Sequence, residues 1–161
     1  MPTNFLEASG TNGFIASPFN LLSTELNALG IAATVISSVG GTAGVFNQTN
    51  FVNAIWGNIW FIAGGAITPT AGGFLAGWFV QSSDGGTTFE KNVGTTIGLP
   101  RSPDFTIPLW VSAYAANDIS FASGFVKLPW ASTKVLLLNS SGAALPATLN
   151  IIKCAPVAIQ Y

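Results

Sequence analysis

The sequence predicts an all-β chain folded as a single antiparallel sandwich, and three features lead there. Apolar runs of strand length, rich in Trp, Phe, Ile and Val, recur from residue 31 to the end. Turn-forming groups such as Gly40-Gly41, Ser83-Asp84-Gly85-Gly86 and Ser123-Gly124 separate them about every ten residues. Pro100, Pro103, Pro108, Pro129 and Pro146 fall where strands would end or lie at an edge.

Residues 1–22 read as an extended N-terminal arm and residues 23–161 as the sandwich domain. In the arm, Pro2, Gly10, Asn12, Gly13 and Pro18 break up single apolar residues. Phe5, Leu6, Phe14 and Phe19 are the candidates for reaching a neighbouring subunit or other partner; the alternative is that they pack back on their own domain. Ser17-Pro18 followed by Phe19, Leu22, Leu26 and Leu29 also fits a helix with an N-cap and Pro at its first position. A strand from near Thr24 running through Gly30 is the other reading.

Residues 31–38 are β-branched and strand-like. Residues 53–63 are apolar on both sides, as a strand covered on both faces would be. Residues 75–82 alternate Trp78 and Val80 against Gly77 and Phe79, and close on the Asp84 turn, with residues 89–93 as a returning partner. Residues 104–110 put Phe105, Ile107 and Leu109 on one face. Residues 119–121, 125–128, 135–138 and 149–161 complete the set; in the last, Leu149, Ile151, Val157, Ile159 and Tyr161 share a side. Eight or nine short strands of this kind point to a jelly-roll-like topology.

Charge is nearly missing. Asp, Glu, Lys and Arg make up 7% of the chain, no charged side chain lies between Glu25 and Asp84, and there is no histidine. An ordinary domain carries about 25%. Eleven charges on a surface of this size leave about one per 700 Å², too few for a typical soluble monomer. Much of the surface is therefore expected to be covered by partner subunits. The five basic residues are dispersed, so counterion release has no stripe to act through and nucleic acid is not an expected partner. Nor is a membrane: the most apolar window, residues 59–80, is broken by Thr68-Pro69-Thr70 and Gly72-Gly73 into pieces shorter than the ~20 residues of a spanning helix. The N-terminus lacks the pattern of a signal peptide, which predicts an unsecreted product.

Chemistry needs groups this chain hardly has. The acids are Glu7, Glu25, Asp84, Glu90, Asp104 and Asp118. Glu90 and Asp104 could meet across a sheet, but nothing in their spacing makes them an acid–base pair. Asp84 lacks the repeated oxygen ligands of a calcium loop and reads as a turn residue. Cys154 lies in an apolar run without an imidazole to activate it and reads as a small buried hydrophobe. No phosphate loop, nucleophile elbow or zinc spacing occurs, so no enzyme, cofactor or metal is expected. Gly73 and Gly77 match a membrane-dimer spacing but lie in a strand context. The tryptophans, Trp56, Trp60, Trp78, Trp110 and Trp130, are expected to fill the core or interfaces, with Trp56 and Trp60 facing the same way. A sugar-stacking platform is the competing role for them.

Residues 22–29 (LSTELNAL), 77–90 (GWFVQSSDGGTTFE) and 134–150 (KVLLLNSSGAALPATLN) resemble small head decoration, or cement, proteins of tailed bacteriophages. The likeness is one of strand and turn patterns over residues 22–161 and leaves out the arm. It implies a jelly-roll-like sandwich, a homotrimer made in the host cytoplasm, and a place on the capsid exterior. There it would bridge capsomers as a structural virion protein, with its own copies and the major capsid protein as partners. It transfers no catalytic residue. The alternative function is a carbohydrate-binding or host-attachment module of a phage particle.

Overall fold

The computed structural model describes residues 17–38, 44–52, 54–90 and 101–157. Among the described residues nine strands run in chain order: β1 (Phe19–Leu22), β2 (Thr34–Ile36), β3 (Trp56–Ile62), β4 (Phe74–Gln81), β5 (Phe105–Pro108), β6 (Ile119–Phe121), β7 (Val126–Lys127), β8 (Thr133–Ser140) and β9 (Ile151–Val157). The only helical element among the described residues is a 3-10 turn at Thr24–Leu26. The chain is all-β, as the turn spacing predicts.

Two antiparallel sheets form. A five-stranded sheet has the order β1-β9-β3-β6, with β7 also on β3; a four-stranded sheet has the order β2-β8-β4-β5. The pairs nest: β1 lies beside β9, β2 beside β8, β3 beside β6 and β7, and β4 beside β5. The pairings β3·β9 and β4·β8 then join the arms of this long ribbon into sheets.

The core between the sheets comes from alternate residues. Leu75 and Phe79 of β4, Phe105 and Ile107 of β5, Ile59 and Phe61 of β3, and Ile152 and Cys154 of β9 are all buried in it. An aromatic series runs through it from Phe19 to Phe46 and Phe51, then to Phe79 and Phe105, with ring centroids 5.7–6.2 Å apart. Such tilted and edge-on pairs suit the ring quadrupole. Gly77 has its close approach here. A Cβ on it would sit 2.0 Å from the Phe105 ring, so the residue leaves room for a core ring. No tryptophan belongs to this inner cluster.

The N-terminal part of the domain differs from both readings of its sequence. Phe19, Leu22, Leu26 and Leu29 do face the core, but on a strand followed by a 3-10 turn rather than on one helix. Ala28, at φ 57°, donates its N–H to the Pro146 carbonyl at 2.9 Å, which anchors the turn to the β8–β9 connection. Phe19–Leu22, at the end of the stretch read as an arm, pair with β9 inside the sheet. The returning partner expected for β4 begins as predicted, with Phe89 bridging Ser82 and the Glu90 N–H donating to the Gln81 carbonyl at 3.1 Å, while β5 forms the ladder along Phe74–Gly77; residues 91–93 lie outside the described residues.

Candidate interaction surface

Both sheets are apolar on their outer faces as well, and the chain treats the two faces differently. On the four-stranded sheet, Ala76, Trp78, Val80 and Leu136 form a second buried cluster, against which Ile36, Phe89 and Leu138 pack. The segment after β4 folds back over this side: the Trp78 indole N–H donates to the Arg101 carbonyl at 3.0 Å. Lys134 lies over the Phe89 ring, 5.1 Å from its centroid. Arg101 and Asp104 finish the β4 edge where β5 ends. The Asp104 carboxylate accepts the Phe79 N–H at 2.6 Å, and the Arg101 guanidinium donates to the Phe79 carbonyl at 2.9 Å. The two side chains thus stand in for a strand's donor and acceptor and blunt an open edge.

The outer face of the five-stranded sheet is open. Trp56, Trp60 and Ile62 of β3 share it with Ile119 and Phe121 of β6 and Ile151 of β9, because each stands opposite another across the ladder. Trp60 and Phe121 pack with centroids 5.9 Å apart. Beyond Phe121 the surface continues over the sandwich edge into a shallow groove lined by Pro108, Leu109, Trp110, Ile119, Ser120 and Phe121. Trp110 is 74% exposed, Phe121 52% and Ile119 48%. With aromatic side chains of 150–250 Å², the exposed apolar area is on the order of 400 Å². A patch of that size is often functional.

The rim of this groove is held in place. The Trp110 N–H donates to the Tyr114 hydroxyl at 2.9 Å, and that hydroxyl also bonds the Ser120 hydroxyl. Tyr114 is buried and bridges Ile67 through its backbone. An exposed indole on a fixed backbone is pre-organised for contact, which lowers the ordering cost of binding.

Phe5, Leu6 and Phe14 lie outside the described residues. Phe19 packs back on its own domain: its ring is part-buried against Phe46 and Phe51. The tryptophans are placed otherwise than in an inner core. Trp78 is buried on an outer face, while Trp56, Trp110 and Trp130 are exposed. Trp56 and Trp60 do face the same way. Residues 59–80 hold two strands in different sheets, β3 and β4; among the described residues no helix is long and apolar enough to cross a membrane.

The acids among the described residues serve as structural acceptors. Glu90 and Asp104 do come together, but around Arg101, at 3.6 and 2.7 Å. Glu25 accepts the N–H groups of Ser23 and Ser38. Asp118 accepts the Ala115 N–H at 2.7 Å. Among the described residues no group of three or more His, Cys, Asp and Glu is gathered as metal ligands would be. Cys154 is fully buried beneath β1 and β3, and burial pushes its thiol far above the ordinary range.

The Asp84 carboxyl is strongly shifted. The Thr88 N–H and hydroxyl, then the Ser82 hydroxyl and the Thr87 N–H, hold its carboxyl well below the usual carboxylate range. Gly85 and Gly86, both at positive φ, let the chain turn back so that these donors converge. A carboxyl with a pKa lower in the folded state stabilises the fold above its unfolded value near 4, and that contribution fades as pH falls below it. The Asp84 carboxyl is accordingly expected to remain ionised at about pH 3 in a carbon-detected NMR titration. Asp84→Asn is expected to flatten the acid limb of the stability profile.

No protein-family model, no curated protein and no solved structure matches this chain.

Proposed function

We propose that this chain is a structural virion protein of a tailed bacteriophage, a decoration subunit that oligomerises on the capsid exterior and bridges capsomers. The partners in this reading are its own copies, as a homotrimer, and the major capsid protein. The reading joins the sequence resemblance to a two-sheet antiparallel sandwich whose nested strand pairing supports a jelly-roll-like topology. The observation that carries it is the open, tryptophan-bearing outer face of the five-stranded sheet beside an equally apolar face that the chain covers for itself. Burying that face between subunits contributes at roughly 25 cal/mol per Å² of apolar area, less the cost of association. Many copies around a shell would add up to resistance against internal pressure.

A glycan-binding module is the competing reading, favoured by the exposure of Trp110. Its groove offers a sugar two side-chain polar groups, the Trp110 indole N–H and the Ser120 hydroxyl, and Tyr114 already engages the second. Coverage by protein suits such a lining better.

The test is sedimentation of the purified protein over a concentration series, with and without emptied capsids of the source particle. An oligomer that co-sediments with capsids is the expected result. A chain that stays monomeric at its highest soluble concentration and remains in the supernatant contradicts the reading.

A further inference from the structure

The open face carries two cationic side chains, and Asp104, which lines a pocket with one of them, Lys127, has its carboxylate on Arg101 and the Phe79 N–H. Lys127 stands across from Trp56, and Lys153 across from Trp60, on the same outer side. Strands β1, β3, β6, β7 and β9 carry no carboxylate at all. Asp118 stands just before β6, with its carboxylate on the Ala115 N–H. The face is therefore aromatic and aliphatic with two ammonium groups and wants an apolar occupant bearing negative charge.

The sixteen residues before Ser17 have that chemistry. Phe5, Leu6, Phe14 and Ile15 are apolar, and Glu7 is the segment's only charged side chain. Extended, a segment of this length spans roughly 50 Å, while the sheet from β1 to β6 is only about 14 Å wide. The chain enters the sheet at β1, whose register points back toward the Val157 end of β9, beside Trp56 and Lys127.

We propose that residues 1–16 of one copy lie across the outer face of the five-stranded sheet of a second copy. Phe5 and Leu6 then rest on the Trp60–Phe121 surface, and Glu7 faces Lys127 and Lys153. Exchange of a terminal segment between identical subunits is a low-cost way to assemble, and a head-to-tail exchange closes into a ring when the rotation allows. The proposal rests on the oligomeric reading above and names the contact that makes the oligomer.

Because Cys154 is buried, introduced surface cysteines are the reactive ones. Glu7→Cys protein is mixed with Lys127→Cys or Lys153→Cys protein and oxidised. Heterodimers are expected on a non-reducing gel well above the level given by Glu7→Cys with Ser83→Cys, an exposed site away from this face. Removing residues 2–16 is expected to weaken self-association at least tenfold. Glu7→Lys is expected to weaken it severalfold, with recovery when Lys127→Glu and Lys153→Glu are added. A truncated chain that associates as tightly as the full chain overturns the exchange while the oligomeric reading stands. So does a cross-link that forms within a doubly substituted chain but never between singly substituted ones. A full-length chain that never associates brings down both.

Discussion

Asn139→Ala is expected to cost about 3–4 kcal/mol of folding stability, a fall of about 10 °C in Tm, read by thermal and urea unfolding. Asn139 is completely buried on β8. Its amide donates to the carbonyls of Leu29, Gly30 and Ala143 at 2.9–3.1 Å, and its carbonyl accepts from the Ser141 N–H and hydroxyl. One side chain thus fastens the end of β8 to the loop before β2 and to the following turn. Truncation leaves several buried polar groups without partners, which costs more than the hydrogen bonds themselves contribute. Asn139→Asp keeps the shape and removes the donors, so it should be comparably damaging at neutral pH. It should recover part of the loss as pH falls, because a protonated carboxyl regains one donor. Equal damage at all pH values would show that packing, not hydrogen bonding, sets the cost.

Trp110→Ser is expected to leave folding stability within about 0.5 kcal/mol, since the indole is largely in water in the isolated chain. Self-association should weaken about 30-fold, the equivalent of about 2 kcal/mol for an aromatic anchor at an interface. Phe121→Ser should weaken it similarly, with a further folding cost of about 0.5–1.5 kcal/mol from the lost packing on Trp60. Dissociation constants from sedimentation, set beside unfolding curves, separate the two effects. Association that is indifferent to both substitutions would remove this face from the interface.

The strands were readable where alternation and turn chemistry agreed. Phe105, Ile107 and Leu109 point inward as their spacing predicts, and all three are buried. The Asp84 turn is where Ser-Asp-Gly-Gly puts it. The outward direction of the Ile151–Val157 parity was not readable. Those residues do share a side, but it is the outer one, opposite Trp56 and Ile62, while Ile152 and Cys154 take the core. Period-two spacing fixes which residues share a face and leaves open which face is buried, and here both faces are apolar. Leu22, Leu26 and Leu29 gave helical spacing because a strand, a 3-10 turn and a left-handed Ala28 happen to bring the same residues to the core. The role of Asn139 was equally hidden. Its sequence neighbours signal a surface turn, and only the fold brings Leu29 and Gly30 against it.

The measurement that bears most directly on the covered surface is hydroxyl-radical footprinting of Trp60, Trp110, Ile119 and Phe121, in dilute protein and in the intact source particle. Coverage by neighbouring subunits predicts strong protection of all four in the particle. Equal oxidation in both states, or a particle that lacks the chain, would contradict it.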